Sequence, residues 1–148
     1  LYILLSSTDI RIASAEHARF KFALLSQGWV GNGPGAALLT KQLRYIDAMK
    51  ILLTDEPFGA EEALRIGLVN EVVPHDQLLE RAEAMARHIV EMPPVAVRMM
   101  KEFVVRFGDL PTDQAWQVQN LMNNLLIQNT ADGEEGRKAF NEKRKPNF

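Results

Sequence analysis

Apolar and polar positions divide the chain into two stretches of different rhythm. Up to Pro74 the period changes repeatedly. Asp9-Ile10-Arg11-Ile12-Ala13 alternates polar with apolar, which predicts a strand with Ile10 and Ile12 facing inward. Arg19-Phe20-Lys21-Phe22 runs at the same period of two. Residues 3–8 fit either a short helix end or a buried strand. Residues 27–35 hold four glycines and a proline and predict a loop. Ala36, Ala37, Leu38 and Leu39 then open a helix, and Ile46, Met49, Ile51, Leu52 and Leu53 continue helical packing after Arg44. Residues 60–66 read as a short helix closed by Gly67 just past its end. Residues 68–73 read as a strand that Pro74 stops, because proline has no N–H to donate to a ladder.

After Pro74 every segment has helical period. Leu78, Ala82, Met85, Ala86 and Ile89 form one apolar stripe. Pro93-Pro94 interrupts it, and Pro94 suits the first position of the next helix, where its missing N–H costs nothing. That helix carries Ala96, Met99, Met100, Phe103 and Phe107 on one side. Ala115, Val118, Leu121, Met122 and Leu125 make a third stripe, with Thr112 expected as N-cap and Asp113 behind it. Asp132-Gly133-Glu134-Glu135 opens a last helix. Its acids sit at the start and Arg137, Lys138, Lys143 and Arg144 towards the end, an order that complements the helix dipole by about 0.3–1 kcal/mol per charge. Residues 1–74 are therefore expected to be mixed strand and helix, and residues 75–148 all helix. Three successive apolar stripes call for packing on the first stretch, on a partner subunit, or on both.

Composition narrows the classes. The chain has 148 residues, 47% hydrophobic and 24% charged, which suits a globular domain or one domain with an appendage. With no cysteine, a disulfide scaffold, a thiolate metal site and cysteine catalysis are all excluded. A net charge of −2 argues against a nucleic-acid partner, which needs a basic surface. Residues 1–5 are apolar but lack a basic flank, and they fall far short of the ~20 residues a membrane span needs. The expectation is a cytoplasmic protein with no membrane partner. Because residue 1 is Leu and the start is apolar, the chain is also expected to begin inside a longer protein.

Few side chains stand out as chemistry. Gly31-Asn32-Gly33-Pro34-Gly35-Ala36 fits the spacing of a dinucleotide-binding turn, but a poor strand precedes it and Pro34 removes a donor where one is needed. A tight turn opening a helix explains it better, although backbone N–H groups at such a turn still attract developing negative charge. His17, His75 and His88 are too scattered for a metal set, and no metal site is expected. Ser6, Ser7, Asp9 and His17 lack the strand–turn–helix context of a nucleophile. The methionines read as core filler. Lys143-Arg144-Lys145 is either a solvated end or a local field able to hold phosphate.

Four blocks carry a family resemblance. Thr54-Asp55-Glu56-Pro57-Phe58-Gly59-Ala60-Glu61-Glu62-Ala63-Leu64-Arg65-Ile66-Gly67-Leu68-Val69-Asn70-Glu71-Val72-Val73-Pro74 resembles the A-x-E-A-x-x-x-G-L-V-x-x-V-V-P segment of the enoyl-CoA hydratase/isomerase (crotonase) superfamily. Asp9-Ile10-Arg11-Ile12-Ala13-Ser14 resembles its C-D-I-R-I-A-S strand. Pro94-Val95-Ala96-Val97-Arg98-Met99-Met100-Lys101 resembles its P-x-A-V-x-x-x-K helix. Residues 136–148 resemble its E-G-x-x-A-F-x-E-K-R-x-P-x-F ending. The blocks follow the family's order over the whole chain.

The resemblance implies an α/β fold. Residues 1–74 would be the C-terminal part of a crotonase-like ββα spiral, and residues 75–148 a helical oligomerisation region of a trimer or hexamer. It implies an acyl-CoA thioester as substrate, with coenzyme A part of that substrate and no separate cofactor. The family's common step stabilises an enolate-like thioester oxygen between two backbone N–H groups. Fixed donors of this kind act without reorganisation, and losing one costs ~3–4 kcal/mol. Both donors would lie upstream of Leu1.

The resemblance also locates the acids. Family hydratases use two glutamates, whose positions here are Ile3 and Leu24, and the isomerases place a carboxylate where this chain has Asn32. None of the three is acidic. Asn32 is the remaining catalytic candidate, as a hydrogen-bonding amide or simply a turn residue. Phe140 and Lys143 match family positions that contact the adenine and phosphate of coenzyme A. The resemblance thus leaves two readings: enolate chemistry by the full-length protein, or a non-catalytic assembly subunit.

Overall fold

The computed structural model describes residues 1–31 and 33–148. Asn32 lies outside the described residues. The chain divides into two compact units, Leu1–Glu83 and Ala84–Phe148.

In the first unit the ambiguous start is a helix, α1 (Tyr2–Ser7), with Leu5 buried. The first strand, β1 (Ile12–Ser14), begins two residues later than the alternation suggests inward residues should. Ala13 and Ser14 are its buried positions and Ile10 is exposed, so the expected inward pair is replaced. The reason is Arg11. Its guanidinium bonds Thr8 Oγ1, Gln42 Oε1 and the Leu68 carbonyl at 2.8–3.0 Å, which fixes the entry to the strand more firmly than the apolar alternation does. Only Arg19–Phe20 of the second alternating run is a strand (β2). α2 (Gly35–Gln42) and α3 (Tyr45–Thr54) follow the glycine loop. β3 (Phe58–Gly59) leads directly into α4 (Ala60–Arg65), and Gly67 at φ +79° turns the chain after it, as the sequence indicates. β4 (Glu71–Val73) is shorter than its apolar run, because the N–H groups of Leu68 and Val69 donate back to the Ala63 carbonyl of α4 instead of to a ladder.

Two short ladders result. β1 pairs in parallel with β4, Ala13 facing Val72, and the segment between them supplies the helical crossover that parallel pairing needs. β2 pairs antiparallel with β3, Phe20 facing Phe58 with their rings stacked at 5.5 Å. Leu39, Ala48, Ile51, Ala63 and Leu68 form the centre of the core.

α5 (Leu78–Val90) spans the boundary between the units. The second unit packs α6 (Pro94–Phe107), α7 (Thr112–Asn129) and α8 (Ala131–Glu142). Pro94 takes the first-turn position of α6 as expected. The α7 cap differs from expectation. Thr112 is already helical and Pro111 precedes it, so the Thr112 hydroxyl is one residue too late to cap. The side-chain cap in this unit is Thr130, whose Oγ1 accepts from Gly133 N at 3.1 Å. Asp132 also accepts from Val95 N at 2.7 Å and thereby serves the first turn of α6. Ala96, Met99, Phe103, Ala115, Val118, Met122 and Leu126 are half-buried, whereas Met100, Leu121 and Leu125 of the expected stripes are exposed. The buried stripe is one column narrower than the apolar pattern.

Candidate functional site

The glycine turn is built against α1 and the segment before it. Gly31 has φ +92° and Gly33 φ +103°, both in the left-handed region that a side chain resists. Each also has a close neighbour. A Cβ on Gly31 would lie 2.5 Å from Leu24 Cδ1, and one on Gly35 would lie 3.1 Å from Phe22 Cζ. A Cβ on Gly33 would stand 3.5 Å from the Tyr2 phenol. Glycine is needed here for backbone conformation and for the approach of aromatic and leucine side chains.

These contacts border a half-open cavity of about 150 Å³. Tyr2, Phe22, Leu24 and Val30 give its side-chain walls, and Gly31, Gly33 and Gly35 give a wall of bare backbone. A wider, shallower depression of about 580 Å³ lies along Gly28, Trp29 and Val30, with Leu24 lining both. Among the described residues lining this half-open cavity, the Tyr2 hydroxyl is the single protic side chain. The apolar side-chain walls suit a short apolar group.

The wall that carries Leu24 is anchored by a buried carboxylate. Asp55 ends α3 in the left-handed region at φ +52° and is 5% exposed. Its Oδ1 accepts from Ala23 N at 2.5 Å, and its Oδ2 accepts from Ser26 N at 3.1 Å and Ser26 Oγ at 2.5 Å. The Ser26 hydroxyl bond is the main reason that the Asp55 carboxyl is held below the usual aspartate range, although burial opposes it. Ala23 itself has φ +62°. The sequence analysis missed Asp55, Tyr2 and Phe22. The one local signal for Asp55 was an aspartate, a residue tolerant of left-handed backbone, at a helix end shortly before Pro57.

The other candidates fall out as follows. Leu24 meets the glycine turn, while Ile3 is 76% exposed. Phe140 and Lys143 belong to the second unit, at the end of α8. Phe140 is 83% exposed and therefore not core, and Lys143 occupies the left-handed cap position, its N–H donating to the Phe140 carbonyl at 3.3 Å. The basic ending is not a free patch. Arg144 holds Glu135 and Glu142 at 2.6 Å and Lys145 reaches Glu91 at 3.2 Å. His17 and His75, distant in sequence, meet edge to face at 4.5 Å between ring centroids. No group of three metal-ligating side chains occurs among the described residues. Nor is any helix of the described residues long and apolar enough to cross a membrane.

The family model described as enoyl-CoA hydratase/isomerase matches residues 2–148. The chain belongs to this family. It is 36% identical over 140 residues to an (E)-benzylidenesuccinyl-CoA hydratase of Thauera aromatica, covering 95% of this chain and 54% of that protein. It is 31% identical over 148 residues to a methylmalonyl-CoA decarboxylase of Escherichia coli, covering 98% of this chain and 56% of the relative. Among solved structures, an enoyl-CoA hydratase/isomerase from Mycobacterium paratuberculosis matches with a TM-score of 0.87 and 32% identity over 97% of this chain and 56% of that one. The enoyl-CoA hydratase/isomerase fold is thus shared along nearly the whole sequence. The chain spans about half the length of the curated relatives it matches. Those relatives carry names for hydration, dehydration and decarboxylation, so family membership leaves the reaction open.

Proposed function

We propose that this chain is the C-terminal half of an acyl-CoA-binding enoyl-CoA hydratase/isomerase family protein. The full-length protein would stabilise an enolate-like thioester oxygen between backbone N–H groups. The observation that carries this reading is the glycine-walled cavity at Leu24 and Gly31, set in a chain whose family match runs from residue 2 to residue 148. A wall of backbone and apolar side chains suits a short acyl chain, since burying its methylenes contributes roughly 0.8 kcal/mol each. Phe140, exposed at the end of α8, is available to stack on adenine, and Lys143 beside it to meet phosphate. Cytoplasmic placement and assembly as a trimer or hexamer belong to the same proposal; the exposed Trp116, Leu121 and Leu125 on α7 favour a subunit contact.

The chemistry proposed is not two-glutamate hydration. That mechanism needs one carboxylate to activate water and another to position it. Ile3 and Leu24 occupy those positions, and Leu24 fills with methyl groups the space beside the turn where water would be held. Asn32, an amide that cannot act as a carboxylate base, leaves only hydrogen bonding at the third position.

The same observation supports a second reading, a family subunit that binds thioester or partner subunits without turnover. Titration of the full-length protein with butyryl-CoA tests the first proposal: saturable binding is expected, and none at millimolar ligand would sink it. Assays with crotonyl-CoA and a 3-enoyl-CoA separate the two readings, because a non-catalytic subunit turns over neither.

A further inference from the structure

We infer that Asp55 is a positioning residue for acyl-group recognition, holding the Ala23–Ser26 segment so that Leu24 closes the cavity against Gly31. This rests on the acyl-CoA reading above. Three features of the structure carry it. First, the Asp55 carboxylate is buried and all three of its hydrogen bonds go to that one segment, two to backbone N–H groups and one to a hydroxyl. Both oxygens are committed, and neither is spent on a side-chain cation. Second, the 3-10 turn at Leu25–Gln27 has its own backbone bonds to the Leu24 and Leu25 carbonyls, but the residue that leads into it needs an outside contact. Ala23 sits at φ +62°, a conformation that a residue with a Cβ adopts at a cost unless its surroundings enforce it. The short bond from Ala23 N to Asp55 Oδ1 is the enforcing contact. Third, Leu24 and Leu25 lie between the two clamped positions, and Leu24 bears on Gly31 and lines both the half-open cavity and the shallower depression. The carboxylate thus grips the backbone on either side of the cavity's principal wall without itself lining the cavity.

The consequence is specific. With the clamp intact, Leu24 presents one fixed surface to a short acyl chain. With it removed, Ala23 relaxes towards negative φ, and Leu24 moves off the turn. Recognition of the acyl part weakens while recognition of the coenzyme A part, carried elsewhere, does not. A purely structural role would instead weaken both together through lost folded protein.

The test uses the full-length protein and the variants Asp55→Gly and Asp55→Asn. Glycine is comfortable at φ +52°, so the first removes the carboxylate while relieving the backbone. Asparagine also tolerates that φ and keeps one acceptor oxygen. Amide hydrogen exchange reads the clamp directly: residues 23–31 should exchange at least about tenfold faster in Asp55→Gly, with the core helices unchanged. Calorimetric titration reads its purpose: butyryl-CoA should bind about tenfold more weakly and free coenzyme A equally well, with Asp55→Asn in between. Unchanged exchange overturns the inference whatever the ligands do. Equal weakening for both ligands, or no weakening, overturns it as well. If the unmutated protein binds neither ligand, the acyl-CoA reading fails, and with it the role in recognition, while the exchange result alone decides whether the clamp exists.

Discussion

Leu24 Cδ1 stands 2.5 Å from where a β-carbon on Gly31 would be, so the leucine and the bare backbone of the turn define one another's position. Two demands on residue 31 follow, a left-handed φ and room for a methyl group. Gly31→Ala should cost about 1–3 kcal/mol in denaturant unfolding of the full-length protein. Pairing it with Leu24→Ala should recover only the steric part, because the backbone strain remains. Full recovery in the double variant would show that the φ of +92° carries no cost.

Restoring the family's acids tests why hydration is not proposed. The double variant Ile3→Glu/Leu24→Glu should show crotonyl-CoA hydration above the unmutated full-length protein, while each single variant stays near background, because water needs both a base and an orienting partner. A Leu24→Glu variant as active as the double one would contradict the two-carboxylate requirement.

Gly133 is held by backbone rather than by side chains. A Cβ there would lie 2.6 Å from the Leu126 carbonyl oxygen and 2.7 Å from Ile127 Cα, neither of which can rotate away. Gly133→Ala should therefore destabilise the second unit by more than about 2 kcal/mol, despite alanine's better helix propensity. Thermal unfolding followed by circular dichroism gives the sign directly. A stabilised variant would mean that α7 and α8 can separate freely.

The Glu135–Arg144 pair supplies a pH dependence. The Arg144 guanidinium, with help from Asn147 N, pulls the Glu135 carboxyl down from about 4.5 to about 2. A carboxyl depressed in the folded state binds protons more readily when unfolded. Its contribution is therefore fully present above about pH 4.5 and is lost as pH falls towards 2. Glu135→Gln should flatten that part of the stability profile and lower neutral-pH stability by the same amount as the lost slope, while Arg144 keeps Glu142. Denaturant titrations from pH 6 to about pH 2 measure the slope.

Arg11 gathers α1, β1, α2 and the turn after α4 through Thr8, Gln42 and Leu68. Arg11→Lys keeps the charge but loses the planar fork that reaches several acceptors at once. It should cost about 1–3 kcal/mol in equilibrium unfolding. A neutral outcome would place the register of β1 under the control of its apolar residues after all.

Much of the architecture is legible in local residue chemistry. Proline and glycine placement at Pro74, Pro94 and Gly67 set element ends correctly, because those residues act through their own φ and missing N–H. Helical periodicity after Pro74 gave the helices, and four ordered motifs gave the family. What pointed away from two-glutamate hydration was also in the sequence, in Ile3 and Leu24. Which apolar residues lie inside depends on the folded packing: Ile10, Met100, Leu121 and Leu125 match the expected pattern yet face out, because a stripe says which residues share a face and not how wide the partner surface is. Only that packing brings Asp55 to Ala23 and Ser26, and Leu24 to Gly31. Local rules act over three or four residues, whereas Asp55 reaches back about thirty residues and the Leu24–Gly31 contact spans a whole loop, so both lie beyond what a local pattern encodes.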